Sequence, residues 1–143
     1  MTVKDHNYWM NKAIDKSIKG KTPYGAIIVN EKDDFIGAFN TTNKNGPTAH
    51  AEINVIQKLK QLNYTDSKKL TLYSTVEPCP MCMSAVVWAG IGNVVFGASI
   101  EDASEFGHQI NITSHEIAKQ SWYDISIKGG IEREKCRNLY SSF

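Results

Sequence analysis

Cys79 and Cys82 stand three apart in the run Glu77-Pro78-Cys79-Pro80-Met81-Cys82. At that spacing on a helix, both thiols project from one face. Pro80, between them, suits the first helical turn, where a missing N–H costs nothing. Leu70-Thr71-Leu72-Tyr73-Ser74, just upstream, reads as a short buried strand. The spacing therefore predicts strand, turn, then a helix that opens on the two cysteines. A helix N-terminus carries partial positive charge and free N–H groups, which lowers thiol pKa and favours thiolate. Two such thiolates suit a borderline cation, and zinc is the commonest.

Two cysteines do not complete a zinc site, and the third ligand is best sought in His50 of Thr48-Ala49-His50-Ala51-Glu52. A His/Cys/Cys set leaves the fourth position open, as in catalytic zinc sites. Such a zinc lowers the pKa of water from ~15.7 to roughly 7. Residues two apart on a helix point about 200° from each other. His50 and Glu52 are thus expected at the very start of a helix, with Glu52 reaching the water as a proton shuttle and not a fourth ligand. Pro47 and Thr48 make the helix entry. Two rival readings stand beside this one. A Cys-x-x-Cys that follows a strand and opens a helix is also the pattern of a dithiol redox site, which leaves His50 and Glu52 without a use. A structural zinc module would need a fourth protein ligand, and none is evident.

The elements that must hold these residues follow from periodicity and punctuation. Asp5 is an N-cap for a helix through about Lys19, closed by Gly20, with Trp9, Met10, Ala13, Ile14 and Ile18 as its core stripe. Tyr24 to Val29 and Phe35 to Asn40 read as a hairpin around a polar turn. A helix is expected from Thr48 to about Leu62, with Ile53, Ile56 and Leu59 facing inward, and another from Pro80 to Ala89. Asn93 to Ala98 is the next strand. The capping box Thr113-Ser114-His115-Glu116 starts a short helix in a long crossover. Asp124 to Lys128 is then a strand parallel to its predecessor, and Ile131 to Tyr140 a terminal helix. The sum is an α/β three-layer sandwich around a five-stranded mixed sheet. His6, His108 and His115 lack partners at ligand spacing, and Cys136 reads as a semi-buried apolar residue.

The whole chain of 143 residues, 41% apolar, is expected to form a single domain. Sixteen basic and fifteen acidic residues give +1, which argues against a general polyanion binder. The cluster Lys58, Lys60, Lys68 and Lys69 reads as a solvated face. Met1 to Met10 contains no apolar run, so neither signal peptide nor membrane anchor is expected. Three cysteines, two of them metal ligands, make no disulfide framework and suit a reducing cytoplasm.

His50-Ala51-Glu52 with Pro78-Cys79-Pro80-Met81-Cys82 resembles the H-x-E…P-C-x-x-C signature of zinc-dependent nucleobase deaminases. The chain is identified as a member of the cytidine/deoxycytidylate deaminase superfamily on residues from about Pro23 to Gly97. Free-base deaminases and tRNA adenosine deaminases are its most similar branches. The resemblance implies zinc on His50, Cys79 and Cys82, Glu52 as the proton shuttle, and hydrolytic deamination of an exocyclic ring amine. It also implies substrate contacts from Asn40, Tyr24, Ala51 and Trp88, and a homodimer.

A free nucleobase or nucleoside is the expected substrate, with tRNA adenosine second. A tRNA enzyme needs lysines and arginines around its pocket, whereas Ser99 to Gly107 carries Glu101, Asp102 and Glu105 and no base. This loop departs from the Lys-Thr-Gly-Ala-Ala-Gly-like run of tRNA deaminases. Guanine deaminases are similar in Pro23-Tyr24-Gly25-Ala26, the cysteine motif and Trp88, but their Gly-Phe-Asp-Asp loop is replaced by Glu105-Phe106-Gly107-His108. Tyr140 and Phe143 are expected to close a small pocket over a flat ring.

Overall fold

A computed structural model describes residues 3–143; Met1 and Thr2, counted in the expected single domain, lie outside the described residues. Among the described residues, five strands form one sheet in the order β2-β1-β3-β4-β5. They are β1 (Gly25–Val29), β2 (Phe35–Phe39), β3 (Thr71–Val76), β4 (Asn93–Ala98) and β5 (Ser126–Lys128). β1 runs antiparallel to β2 and β3, whereas β3, β4 and β5 are mutually parallel. The mixed sheet and its parallel last pair match the sequence expectation.

Alternation along the strands separates two cores. Ile27 and Val29 of β1 and Val95 of β4 face a cluster with Trp9, Met10, Ala13, Ile14, Cys136 and Leu139. Ala26, Ile28 and Val94 face the other side with Ala51, Val55, Met83 and Val86. The first cluster is covered by α1 (His6–Gly20) and α7 (Arg133–Asn138), the second by α3 (Ala51–Ile56) and α4 (Pro80–Ala89). This is the three-layer sandwich.

Asp5 caps α1 by accepting from the Tyr8 N–H at 2.9 Å. The stripe differs from expectation at one place, since Ile18 is 52% exposed while Ser17 is fully buried. A side chain on Gly25 would strike the α1 backbone at Ala13 and Ser17. That close approach turns Ser17 inward, and its hydroxyl returns to the Ile14 carbonyl at 2.7 Å.

The expected helix from Thr48 to Leu62 is cut down to α3, followed by a 3₁₀ turn at Leu59–Gln61. The β-branched Ile53, Val55 and Ile56 stay helical, and the residues that leave the helix, Gln57 to Leu62, are good helix formers, so intrinsic propensity does not set the break. Asn54 bonds outward to the Phe39 carbonyl and the Thr41 hydroxyl, both at 2.9 Å. α4 has the expected bounds, with Pro80 in its first turn and Gly90 closing it at φ 79°. Two short helices, α2 (Thr42–Asn45) and α5 (Ile100–Ser104), were not expected, although α5 starts on a Ser99…Asp102 capping box. The Thr113 box does start α6 (Ser114–Lys119). Among the described residues, no helix is long and apolar enough to cross a membrane.

Candidate active site

The site lies where β1, β3, α3 and α4 meet. Cys79 is the N-cap of α4 and Cys82 stands in its first turn. His50 is the N-cap of α3 in extended conformation, and Glu52 follows in the first turn. Capping positions thus aim two helix N-termini at one point. The ligand atoms of His50, Cys79 and Cys82 all lie within 4.8 Å of one another.

The triangle has the size of a zinc site. Bonds of about 2.3 Å to sulfur and 2.0–2.1 Å to nitrogen, at a tetrahedral angle, put S and N about 3.6 Å apart. His50 Nδ1 lies 3.7 Å from Cys79 Sγ and 3.5 Å from Cys82 Sγ. The charge states of the three groups differ, and metal binding requires Cys82 and His50 in their deprotonated forms. Hydrogen bonding from Cys82 and from His50 holds the Cys79 thiol down to about 4. The Cys82 thiol is pushed up in turn by that thiolate beside it, and the hydrogen bond to Cys79 raises His50.

Glu52 is 6% exposed. Burial pushes its carboxyl up to about 7, against the opposing pull of the His50 charge and the Ser74 hydroxyl. A carboxyl in that range can both accept and return a proton near neutral pH.

A cleft of about 170 Å³ opens onto these groups, lined by Tyr24, Asn40, His50, Glu52, Val76, Glu77, Cys79, His108 and Gln109. Asn40 is both a turn former and a cleft residue. Its Oδ1 accepts from the Thr42 N–H at 3.0 Å and from the Thr42 hydroxyl at 2.9 Å. Its Nδ2 has no protein partner among the described residues and so remains a donor toward the cleft. Tyr24 forms one wall, backed edge-on by Tyr140 at 5.6 Å, and Phe106 stacks flat on Tyr140 at 4.4 Å. Ala51 is fully buried beneath the site and is not a lining residue.

Trp88 is not brought to the cleft. It is 79% exposed and packs edge-on against Trp122 at 5.1 Å. Six residues beyond Cys82, at 1.5 Å each, carry it about 9 Å along α4. Phe143 is 53% exposed and closes nothing. His108, set aside for want of a partner at ligand spacing, lies on the cleft wall together with Gln109. Its signal was positional, since it falls in the loop that departs from the guanine deaminase pattern. The acidic loop also changes meaning. Asp102 takes a bidentate pair from Arg133 at 2.9 and 2.7 Å, and Arg137 bonds both Asp102 and Glu105. The rim charge expected to repel phosphate is largely neutralised by α7.

Comparison with known proteins agrees with this arrangement. Residues 3–98 match the cytidine and deoxycytidylate deaminase zinc-binding region. The chain is 36% identical over 124 residues to guanine deaminase of Bacillus subtilis (strain 168), covering 80% of this chain and 78% of that one. It is 39% identical over 118 residues to a probable cytosine deaminase of Schizosaccharomyces pombe, covering 78% and 72%. It is 33% identical over 126 residues to a tRNA-specific adenosine deaminase of Buchnera aphidicola subsp. Baizongia pistaciae, covering 87% and 76%. The fold superposes on a guanine deaminase from Nitrosomonas europaea with TM-score 0.72 at 19% identity, covering 95% of this chain and 80% of that chain. The chain belongs to the cytidine and deoxycytidylate deaminase family and is a deaminase of that superfamily.

Proposed function

We propose that the protein hydrolyses an exocyclic amine from a free nucleobase or nucleoside, leaving a ring carbonyl and ammonia. The observation that carries this reading is the His50–Cys79–Cys82 triangle with a buried carboxylate, Glu52, beside it at the foot of a small cleft. Bound zinc would supply an activated water at neutral pH and positive charge beside the developing oxyanion. Glu52 takes a proton from the attacking water and delivers it to the ring nitrogen next to the reacting carbon. It carries a second proton to the amine, so that the C–N bond breaks and ammonia leaves. Asn40 Nδ2 donates to the ring, and Tyr24 packs along it.

Polarity supports the small substrate over tRNA, while size alone fits a base that is free or extruded from a strand. A cleft of about 170 Å³ lies below the roughly 300–1,000 Å³ of drug-sized sites and suits one ring system. No lysine or arginine is among its lining residues, and the rim arginines Arg133 and Arg137 are already paired with Asp102 and Glu105, whereas phosphate binding requires free cations at the rim. The relatives named for guanine, cytosine and tRNA adenosine deamination define the panel to screen. Ammonia release is expected from at least one of guanine, cytosine, adenine or their nucleosides. Inosine formation in an anticodon stem-loop, with no turnover of any small compound, would overturn the ranking. A homodimer belongs to the same reading. The exposed Trp88–Trp122 pair, beside Val87 and Ile117, supports an apolar contact face, and sedimentation at micromolar concentration tests it.

A further inference from the structure

Glu77 closes β3 two residues before Cys79, and the chemistry above gives it no task. It is 6% exposed, and both carboxylate oxygens are engaged. Oε1 accepts from the Ile100 N–H at 2.9 Å, the first residue of α5. Oε2 accepts from the Ser114 N–H at 2.8 Å and the Ser114 hydroxyl at 2.6 Å, the first residue of α6. One carboxylate therefore holds the starts of two helices, and both partners are buried. Between those helices runs the segment 105–113, which brings His108 and Gln109 to the cleft.

We infer that Glu77 is a positioning residue: it fixes the His108–Gln109 wall at the height of the substrate ring without taking part in proton transfer. Although Glu77 lines the cleft, both its oxygens already accept from fixed donors and are not free to exchange protons with the reacting atoms. Both ends of the wall nevertheless depend on it. Residue 77 also precedes the metal-ligand pair, so wall and ligands share one strand end. This inference rests on the proposed deaminase reading for its kinetic part only.

The test is Glu77→Gln, which keeps the shape but offers one acceptor oxygen where two were used, leaving at least one buried N–H unmet. Two readouts apply to the zinc-loaded protein: amide hydrogen exchange along the chain, and KM and kcat on whichever substrate the screen identifies. Faster exchange confined to about residues 100–114, unchanged zinc content, and KM raised about tenfold with kcat within about threefold are expected. The milder Ser114→Ala, which removes one of the three bonds, should move both readouts the same way by less and covers the case in which Glu77→Gln does not fold. Exchange faster throughout the domain with KM unchanged would reduce Glu77 to a general structural role and overturn the inference. So would a loss in kcat alone. The exchange pattern is read without turnover, so a protein with no measurable deamination would fail the functional reading and still test this one.

Discussion

The floor of the cleft and its outer wall are held by different forces. The floor, where β1, β3, α3 and α4 meet, sits on a dense apolar cluster that includes Ala26, Ile28, Ala51, Val55, Met83 and Val86. Its chemistry-bearing residues occupy capping positions on those packed elements. The wall, residues 105–113, is mostly exposed and packs chiefly through Phe106, stacked on Tyr140. It hangs between two short helices held by Glu77, by the capping boxes of Ser99 and Thr113, and by the Asp102 pairs with Arg133 and Arg137. Packing forgives little at the floor, while polar anchors let the wall be rebuilt residue by residue. A site divided in this way can keep one chemistry while its specificity changes, which fits its likeness to relatives named for three different substrates.

The largest effect is expected at the metal triangle. Cys79→Ala or Cys82→Ala is expected to lose zinc, abolish turnover and lower the melting temperature while leaving a folded chain. Zinc contributes about 10–16 kcal/mol in small modules that fold only with metal; here two apolar clusters remain without it. Full zinc content with unchanged melting would remove the cysteine from the ligand set.

A smaller effect is expected where the wall meets α7. The Arg133 guanidinium, with hydrogen bonds from Ser99, holds the Asp102 carboxyl well below the usual carboxylate range. A carboxyl depressed in the folded state contributes stability above its unfolded value of about 4, and that contribution is lost as pH falls toward the folded value. Asp102→Asn should cost about 1–3 kcal/mol at pH 7, discounted because the Arg133 side chain is 52% exposed. The gap from the parent should narrow as pH drops below about 4. Urea unfolding at pH 7 and pH 3 reads it, and an equal gap at both would break the assignment.

The smallest effect sharpens the boundary of the site. Trp88→Ala should leave kcat/KM within about twofold, a barrier change of about 0.4 kcal/mol, because the ring touches no part of the cleft. A tenfold loss would return Trp88 to the site.

The two regions also differ in how far the sequence reveals them. The floor was legible because metal and proton transfer impose short spacings: two residues from His50 to Glu52, three from Cys79 to Cys82. The wall was not, because its bonds are remote in sequence; Glu77 reaches Ile100 and Ser114 across 23 and 37 positions. His108 was set aside by a rule about ligand spacing that says nothing about cleft walls. Asp102 and Glu105 were read as free rim charge because nothing local announces Arg133 and Arg137, about thirty residues on. Trp88 followed the family resemblance, but helical rise carries it past the cleft to an exposed position.

In the proposed mechanism three residues hold the metal and a fourth, Glu52, moves the protons. Metal analysis and ammonia release on Glu52→Gln, beside the parent, test it most directly. One zinc per chain is expected in both, with turnover in the variant lower by at least about 10²–10⁴-fold. Zinc lost together with activity would make Glu52 a ligand, and turnover retained would give the proton transfer to another group; either result rules out Glu52 as the proton shuttle.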